Sequence, residues 1–391
     1  MSCNSTSSAV EVHLAPWPQN PFAWDILDDD GCVKPEPYDE LEWLSPYLKV
    51  NYGISTVCGG IFSLYLLYLV VFHTIESLVP YKKIILCCAV SDVTYWIIEN
   101  FCQFKARQID GVFLMRLDGP AGYFSRDFQV TITAVYVTAI CLVNTLLPAQ
   151  TYFRYYALTR SKILGPWKTL LLFLVSIIVI LPVFLTSFLG YSNSPAVRPE
   201  LNYGSLWFNQ YPLPILVIGD IRGFWHCSFF IYSVLCAFIC YSLTLFIGFK
   251  GQKNLRIVQN TSSRRTKHLQ VQLSRYLLLQ TTIQLLTSVI PVSVIIFAGF
   301  FRLDAGLTPT FCMVALSWIP IINPLLTMIV IAPYLLRNNE VEQDENEAMA
   351  AAIQAADTAH HDTRKDIHYY DSVVNNRQVD LGRKEDQFRK S

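Results

Sequence analysis

Between Asp127 and Arg154 the chain carries no charged residue. At about 1.5 Å of rise per residue, a helix over that gap is long enough to cross a hydrocarbon core about 30 Å thick. The run opens with Gln129-Val-Thr-Ile-Thr-Ala-Val-Tyr136 and closes with Pro148-Ala-Gln-Thr-Tyr-Phe-Arg154-Tyr155-Tyr156. Tyrosine rings favour the membrane–water boundary, and a long cationic side chain reaches water from it. Arg154 therefore reads either as an interfacial anchor or as a charged contact for a soluble partner on the cytoplasmic side.

Six more apolar segments flank this one, at about 52–72, 84–104, 167–189, 224–249, 273–300 and 307–333. The whole chain is 52% hydrophobic and 15% charged, with a mean hydropathy of +0.34. Those values are too apolar for an ordinary soluble protein of this size. The fold class that follows is an all-α membrane protein, a seven-transmembrane helix bundle. Residues 1–50 form an acidic, proline-rich N-terminal segment, 51–337 the membrane domain, and 338–391 a hydrophilic tail that is partly disordered. No signal peptide precedes the first span, which is expected to act as the targeting signal. Proline in spans four, six and seven (Pro182, Pro291, Pro324) removes backbone hydrogen bonds and leaves flexible points.

Lysine and arginine near the spans set the orientation. Lys82, Lys83, Arg154, Arg160, Lys162 and the acid-free run from Lys250 to Arg275 place the N-terminus outside and the C-terminus inside. The loop 105–127, with Lys105, Arg107, Arg116 and Arg126, counts against this. The alternation over 112–117 suggests a short hairpin in that loop. Residues 190–223 read as a long proline-containing loop. Asn4-Ser5-Thr6 is a glycosylation sequon, used only if the N-terminus is lumenal.

The same residues exclude several function classes. The net charge is +0, and the basic run lies between two spans, so no nucleic-acid partner is expected. His360, His361 and His368 sit in the tail without a ligand-spaced set, so no metal is expected. There is no glycine-rich phosphate loop and no nucleophile elbow, hence no enzyme and no cofactor. Of eleven cysteines, Cys3, Cys32, Cys102, Cys227 and Cys312 are those that could pair outside the cell.

Charges inside a bilayer are costly and have a partner or a task. Asp92, in the middle of span two, reads as a switch or ion-binding element or as a hydrogen-bond partner of a polar group such as Asn144 or Asn323. Glu99 lies two turns outward. An outward cavity for an extracellular ligand is expected from Glu99, Gln103, Gln129, Tyr136, His226, Tyr232 and Trp318, which are polar or aromatic and lie in the outer or middle parts of spans two, three, five and seven.

Several short motifs occur in a telling order. Tyr81-Lys82 precedes span two, and Asp118-Gly-Pro120 follows it. Tyr152-Phe-Arg154-Tyr-Tyr ends span three. Thr266-Lys-His-Leu-Gln-Val-Gln272 opens span six, and Pro324-Leu … Pro333-Tyr334 closes span seven. Over 52–337 this resembles nematode serpentine chemoreceptors of the delta, h, i and str-type classes. The match to rhodopsin-like receptors is partial: Phe153 replaces the acid before Arg154, Thr327 stands where Asn323-Pro324 would lead to a tyrosine, and span seven has no lysine for a retinal Schiff base. Positions 103–140 and 190–226 lack cysteine, so the disulfide usual in rhodopsin-like receptors has no donor there. The resemblance implies a chemosensory G-protein-coupled receptor of the plasma membrane, with the sensory cilium among its compartments. It implies an extracellular ligand, membrane lipid and a heterotrimeric G protein as partners. Coupling would fall to Arg154, Tyr155, Arg264, Arg265 and Lys267, and switching to Asp92, Asn323 and Pro324. The competing readings are a multi-pass transporter or channel, and a neuropeptide-type receptor. An odd span number without duplication and few buried charges weigh against a transporter.

Overall fold

The computed structural model describes residues 38–72, 82–160, 164–199, 201–211, 213–258 and 279–329. Cys3, Asn4, Cys32, Tyr81, the 266–272 stretch with its neighbours Arg264 and Arg265, Pro333-Tyr334, the tail and the side chain of Arg160 lie outside the described residues. Among the described residues, seven helices are long and apolar enough to cross a membrane. They are α1 (Ser45–Phe72), α2 (Lys82–Cys102), α3 (Arg126–Arg160), α4 (Pro166–Ser192), α5 (Phe224–Val258), α6 (Leu279–Phe300) and α7 (Thr308–Ile329).

α2 stops at Cys102 rather than near 104. Gln103 takes a left-handed backbone (φ 47°), and the next residue begins a strand. Five strands gather at this end of the bundle. β1 (Tyr38–Asp39) pairs with β4 (Gln210–Tyr211). β2 (Phe104–Ile109) and β3 (Val112–Leu117) form an antiparallel hairpin, and β5 (Val217–Asp220) pairs with the far edge of β3. Asp110 and Gly111 both have positive φ, 48° and 75°, the backbone of a type I′ two-residue turn whose twist suits the flanking strands. The hairpin is therefore longer than the alternation over 112–117 suggested, and the loop 190–223 contributes a strand to it.

The sheet is buried on both faces, because side chains alternate along each strand. Phe104, Ala106, Phe113, Met115, Leu117 and Val217 pack into the helix bundle with Tyr136, Tyr191 and Phe230. Val112, Leu114 and Ile218 pack outward against Leu41, Tyr203, Trp207, Phe208 and Leu216. This double burial is why β3 reads as an almost unbroken apolar run, like a fragment of a span.

Prolines interrupt four of the helices, and in α7 the freed carbonyls acquire partners. Proline has no N–H to give the carbonyl four residues earlier. In α7, Pro320 deprives Leu316, whose carbonyl accepts the Tyr95 hydroxyl at 3.1 Å. Pro324 deprives Pro320, whose carbonyl accepts Ser63 Oγ at 3.0 Å. In α3, Pro148 lies inside a helix of 35 residues, and near it Ser176 Oγ of α4 donates to the Thr145 carbonyl, one residue past the carbonyl that Pro148 frees, at 3.2 Å. α6 forms a π-helical turn over Leu285–Val289, just before Pro291. In hydrocarbon such repairs come from neighbouring hydroxyls because no water is at hand.

Candidate functional site

A vestibule of about 820 Å³ opens at the sheet end between the starts of α1 and α3, the end of α2, and the hairpin. Asp39, Glu42, Lys49, Lys105, Arg116 and Asp118 line it, with Gln103 and Gln129 deeper in. Acids and bases balance, three against three. Lys105, almost fully buried, bonds Asp118 at 3.1 Å and Ser45 Oγ at 2.7 Å. Arg116 bonds Asp118 at 2.7 Å and approaches Asp39 at 3.8 Å. Each basic residue of loop 105–127 is thus engaged at this end. Arg107 donates to the Trp207 carbonyl and lies 4.7 Å from the Phe208 ring centre, and Arg126 donates to the Tyr191 carbonyl.

Below the vestibule a polar stripe runs down one face of α2. Glu99, Tyr95, Asp92 and Cys88 are spaced three or four residues apart, which stacks them on one side of the helix, and Gln103 follows just past the helix end. Tyr52 closes the top of this stripe by donating to the Phe104 carbonyl at 2.8 Å. Glu99 is buried; its Oε2 lies 3.4 Å from the Tyr95 hydroxyl, and its Oε1 has no hydrogen-bond partner among the described residues. Tyr136 of α3 stacks on Tyr95 at 5.9 Å and meets Phe104 at 4.7 Å. Farther down, Asn323 Nδ2 of α7 donates to Asp92 Oδ1 at 3.3 Å, and Gln150 Nε2 of α3 donates to Cys88 Sγ at 2.8 Å. Asn144, the other partner expected for Asp92, instead donates to Ser288 Oγ of α6 at 2.9 Å.

The seven side chains expected around one cavity occupy different places. Gln103 and Gln129 line the vestibule, and Gln129 Nε2 also holds the Gly122 and Phe124 carbonyls before α3. Glu99 and Tyr136 meet beneath it. His226 is packed among Tyr191, Phe229 and Phe230, with ring centres 5.4, 5.7 and 4.4 Å away. The Tyr232 hydroxyl leaves the bundle centre to reach the Val179 carbonyl of α4 at 2.8 Å. Trp318 Nε1 bonds Asn51 of α1 at 3.0 Å. Sequence reading missed Tyr95, Tyr52 and the Lys105–Asp118 pair. The spacing of Tyr95 between Asp92 and Glu99 was the available signal for the first; the other two depend on the hairpin.

At the opposite end, Phe153 is buried with Ile84 and Leu164. Arg154 is half-buried beside it, and Tyr155 packs toward Gly251 of α5. Among the described residues, Cys102, Cys227 and Cys312 are unpaired.

The family model described as serpentine type 7TM GPCR chemoreceptor Srd matches residues 48–338. No curated protein matches the chain by sequence. Among solved structures, the crystal structure of squid rhodopsin is similar with a TM-score of 0.50 at 13% identity, over 75% of this chain and 87% of that one. At that identity the likeness speaks to the fold alone.

Proposed function

The chain belongs to the Srd family of serpentine seven-transmembrane G-protein-coupled chemoreceptors, and on that premise we propose that its sheet end faces outside the cell and takes a water-soluble ligand in the vestibule. It is a chemosensory G-protein-coupled receptor and a multi-pass protein of the plasma membrane. The family is one of receptors, with an extracellular ligand and a G protein as the partners implied.

The observation that carries the proposal is the polar stripe of α2. It begins at Glu99, whose carbonyl accepts the N–H of Gln103 in the vestibule at 3.0 Å, and ends where Asp92 meets Asn323 and Cys88 meets Gln150. A ligand that draws on Gln103, Gln129, Lys105 or Asp118 would bear on α2 and α3 together. By binding one arrangement of these helices more tightly it would shift a pre-existing equilibrium. Asp92, Asn323 and Pro324 would carry the change across the bundle. Arg154 and Tyr155, with Arg264, Arg265 and Lys267, would present the cationic surface that meets a heterotrimeric G protein. In this orientation Asn4 is on the side where its sequon is used.

Epitope tags at both ends, probed on intact and permeabilised cells, test the orientation; staining of a C-terminal tag on intact cells defeats it. For a ligand found by screening with a G-protein readout, Gln103→Ala should weaken its potency about tenfold, the loss of roughly 1.4 kcal/mol, at unchanged surface level. Unchanged potency in both Gln103→Ala and Gln129→Ala moves the ligand elsewhere.

A further inference from the structure

The charges of the vestibule balance as a whole but not wall by wall. The hairpin wall carries Lys105 of β2, Arg116 of β3 and Asp118 just past it, two bases against one acid. The opposite wall carries Asp39 of β1, Glu42 just before α1 and Lys49 within it, two acids against one base. One side of the vestibule is therefore positive and the other negative.

Pairing inside each wall leaves these surpluses standing. Lys105 and Arg116 are directly opposite each other in the hairpin register, a placement that two like charges disfavour. Asp118 bonds both, at 3.1 and 2.7 Å, and one carboxylate offsets only one of the two charges. Across the vestibule, Glu42 and Lys49 are exposed and form no ion pair among the described residues. The walls meet at Arg116 Nη1 and Asp39 Oδ2, 3.8 Å apart, well beyond the roughly 2.7–2.9 Å of a charge-assisted hydrogen bond. Each of those two atoms can take a closer partner. Deeper in, the amide nitrogen of Gln129 is held by the Gly122 and Phe124 carbonyls. Its Oε1 is buried and has no hydrogen-bond partner among the described residues. Such an acceptor costs free energy until an N–H or O–H donor reaches it, and an ammonium brings three donors.

This polarity restricts the ligand. An anion suits the hairpin wall but meets Asp39 and Glu42 as like charges. A cation suits the α1 wall but meets Lys105 and Arg116 in the same way. A neutral molecule displaces water from charged groups without replacing it by a counter-charge. We propose that the vestibule takes a water-soluble zwitterion, whose carboxylate or phosphate pairs with Arg116 on the Lys105 side and whose ammonium pairs with Asp39 and Glu42. The inference rests on the vestibule reading and names the ligand class for it. It also orients the ligand, with the anionic end toward the hairpin and the ammonium toward α1.

The test uses the full-length receptor in micelles of an uncharged maltoside detergent. Three probes share one backbone and differ in terminal charge at pH 7: glycylglycine is a zwitterion, glycylglycinamide a cation and N-acetylglycylglycine an anion. Saturation-transfer difference NMR, with empty micelles as the blank, reads their binding. Glycylglycine should bind at least about threefold more tightly than either capped probe, the order of one solvent-screened ion pair. Glu42→Gln, at an exposed position, should narrow the gap to N-acetylglycylglycine, and Arg116→Gln the gap to glycylglycinamide. If Arg116→Gln does not fold, the wild type and Glu42→Gln decide. Equal or tighter binding of a capped probe overturns the inference. So does the absence of glycylglycine binding, or a preference for it that the folded variants leave unchanged. Gln103→Ala separates the two readings. If a capped probe binds as well as glycylglycine and Gln103→Ala weakens it, the zwitterion falls and the vestibule stands. If glycylglycine binds and neither Gln103→Ala nor Glu42→Gln changes it, both fall.

Discussion

At the sheet end, three strands, two apolar clusters and a set of ion pairs lock the helix termini together. Arg198 bonds Asp220 at 2.6 Å, and Arg222 bonds Asp110 at 3.0 Å. Thr310 of α7 exchanges hydrogen bonds with both backbone groups of Ala106 on β2. At the Arg154 end, the described apolar packing is the small cluster of Ile84, Phe153 and Leu164 with its neighbours. Between the two ends lie Pro148, the π-helical turn before Pro291, and the pair Pro320 and Pro324. Sharp bends and rigid-body helix movements concentrate where the backbone ladder is interrupted. The difference teaches that, among the described residues, the links between helix ends concentrate at the sheet end, while the interrupted backbone ladders lie between the two ends. A sheet does here what a disulfide could have done, since no cysteine stands at the top of α3 or in the loop before α5.

The comparison breaks most readily at Asp220, whose side chain is fully buried between Arg198 and Arg222. Asp220→Ala should cost about 3 kcal/mol, the low end of what removing one partner of a buried pair costs, because Arg198 keeps some solvent. Thermal unfolding of purified receptor and its surface level measure this; an unchanged midpoint would mean that the ion pairs do not hold the sheet end. Gly219→Ala should cost about 1–3 kcal/mol by overpacking, since a Cβ there would come within 2.1 Å of the His226 ring.

At the other end the expected loss is in signalling rather than stability. Arg154→Ala and Arg154→Lys should reach the surface at near wild-type level yet lose ligand-driven G-protein activation, alanine more than lysine. A planar guanidinium stacks and bonds to carbonyls in ways an ammonium cannot. The same changes at Arg160 should do little. Normal signalling by Arg154→Lys at matched expression reduces the residue to an anchor. Asp92→Asn keeps a side chain able to bond Asn323, so it should fold, with basal signalling altered a few-fold in the same assay.

The smallest expected effect concerns pH at the sheet end. Asp110 is half-exposed; burial pulls its carboxyl slightly upward, but hydrogen bonds and charge from Arg222, then Arg198, outweigh this and hold it below the ordinary 3.8. A lowered folded-state value means that the contribution is fully present above the ordinary carboxylate range and is lost as pH falls through the lowered value. Asp110→Asn should therefore flatten a slight acid dependence of the unfolding midpoint. An identical acid profile in the variant would assign that dependence elsewhere.

Seven spans, the charge-free length of α3 and the place of Arg154 were legible in the sequence because each depends on local hydropathy, which a bilayer reads directly. The order of short motifs along 52–337 was enough to suggest the family, and the family model covers 48–338. Asp92, Glu99 and Gln103 were found as polar residues in an apolar run. What the chain alone could not decide is where polar side chains go once the helices turn toward one another. Tyr232 and Trp318 looked like cavity residues, yet their polar atoms bond to α4 and α1, because rotation of a helix about its axis is set by its neighbours. The alternation over 112–117 hinted at the hairpin, but the sheet needed β5 to meet β3 from a segment about a hundred residues later. The prolines of α7 were visible, but the hydroxyls of Tyr95 and Ser63 that take up its freed carbonyls come from other helices. Local polarity placed the segments in the membrane; hydrogen bonds between distant residues, which have no local signature, decided how the segments face each other.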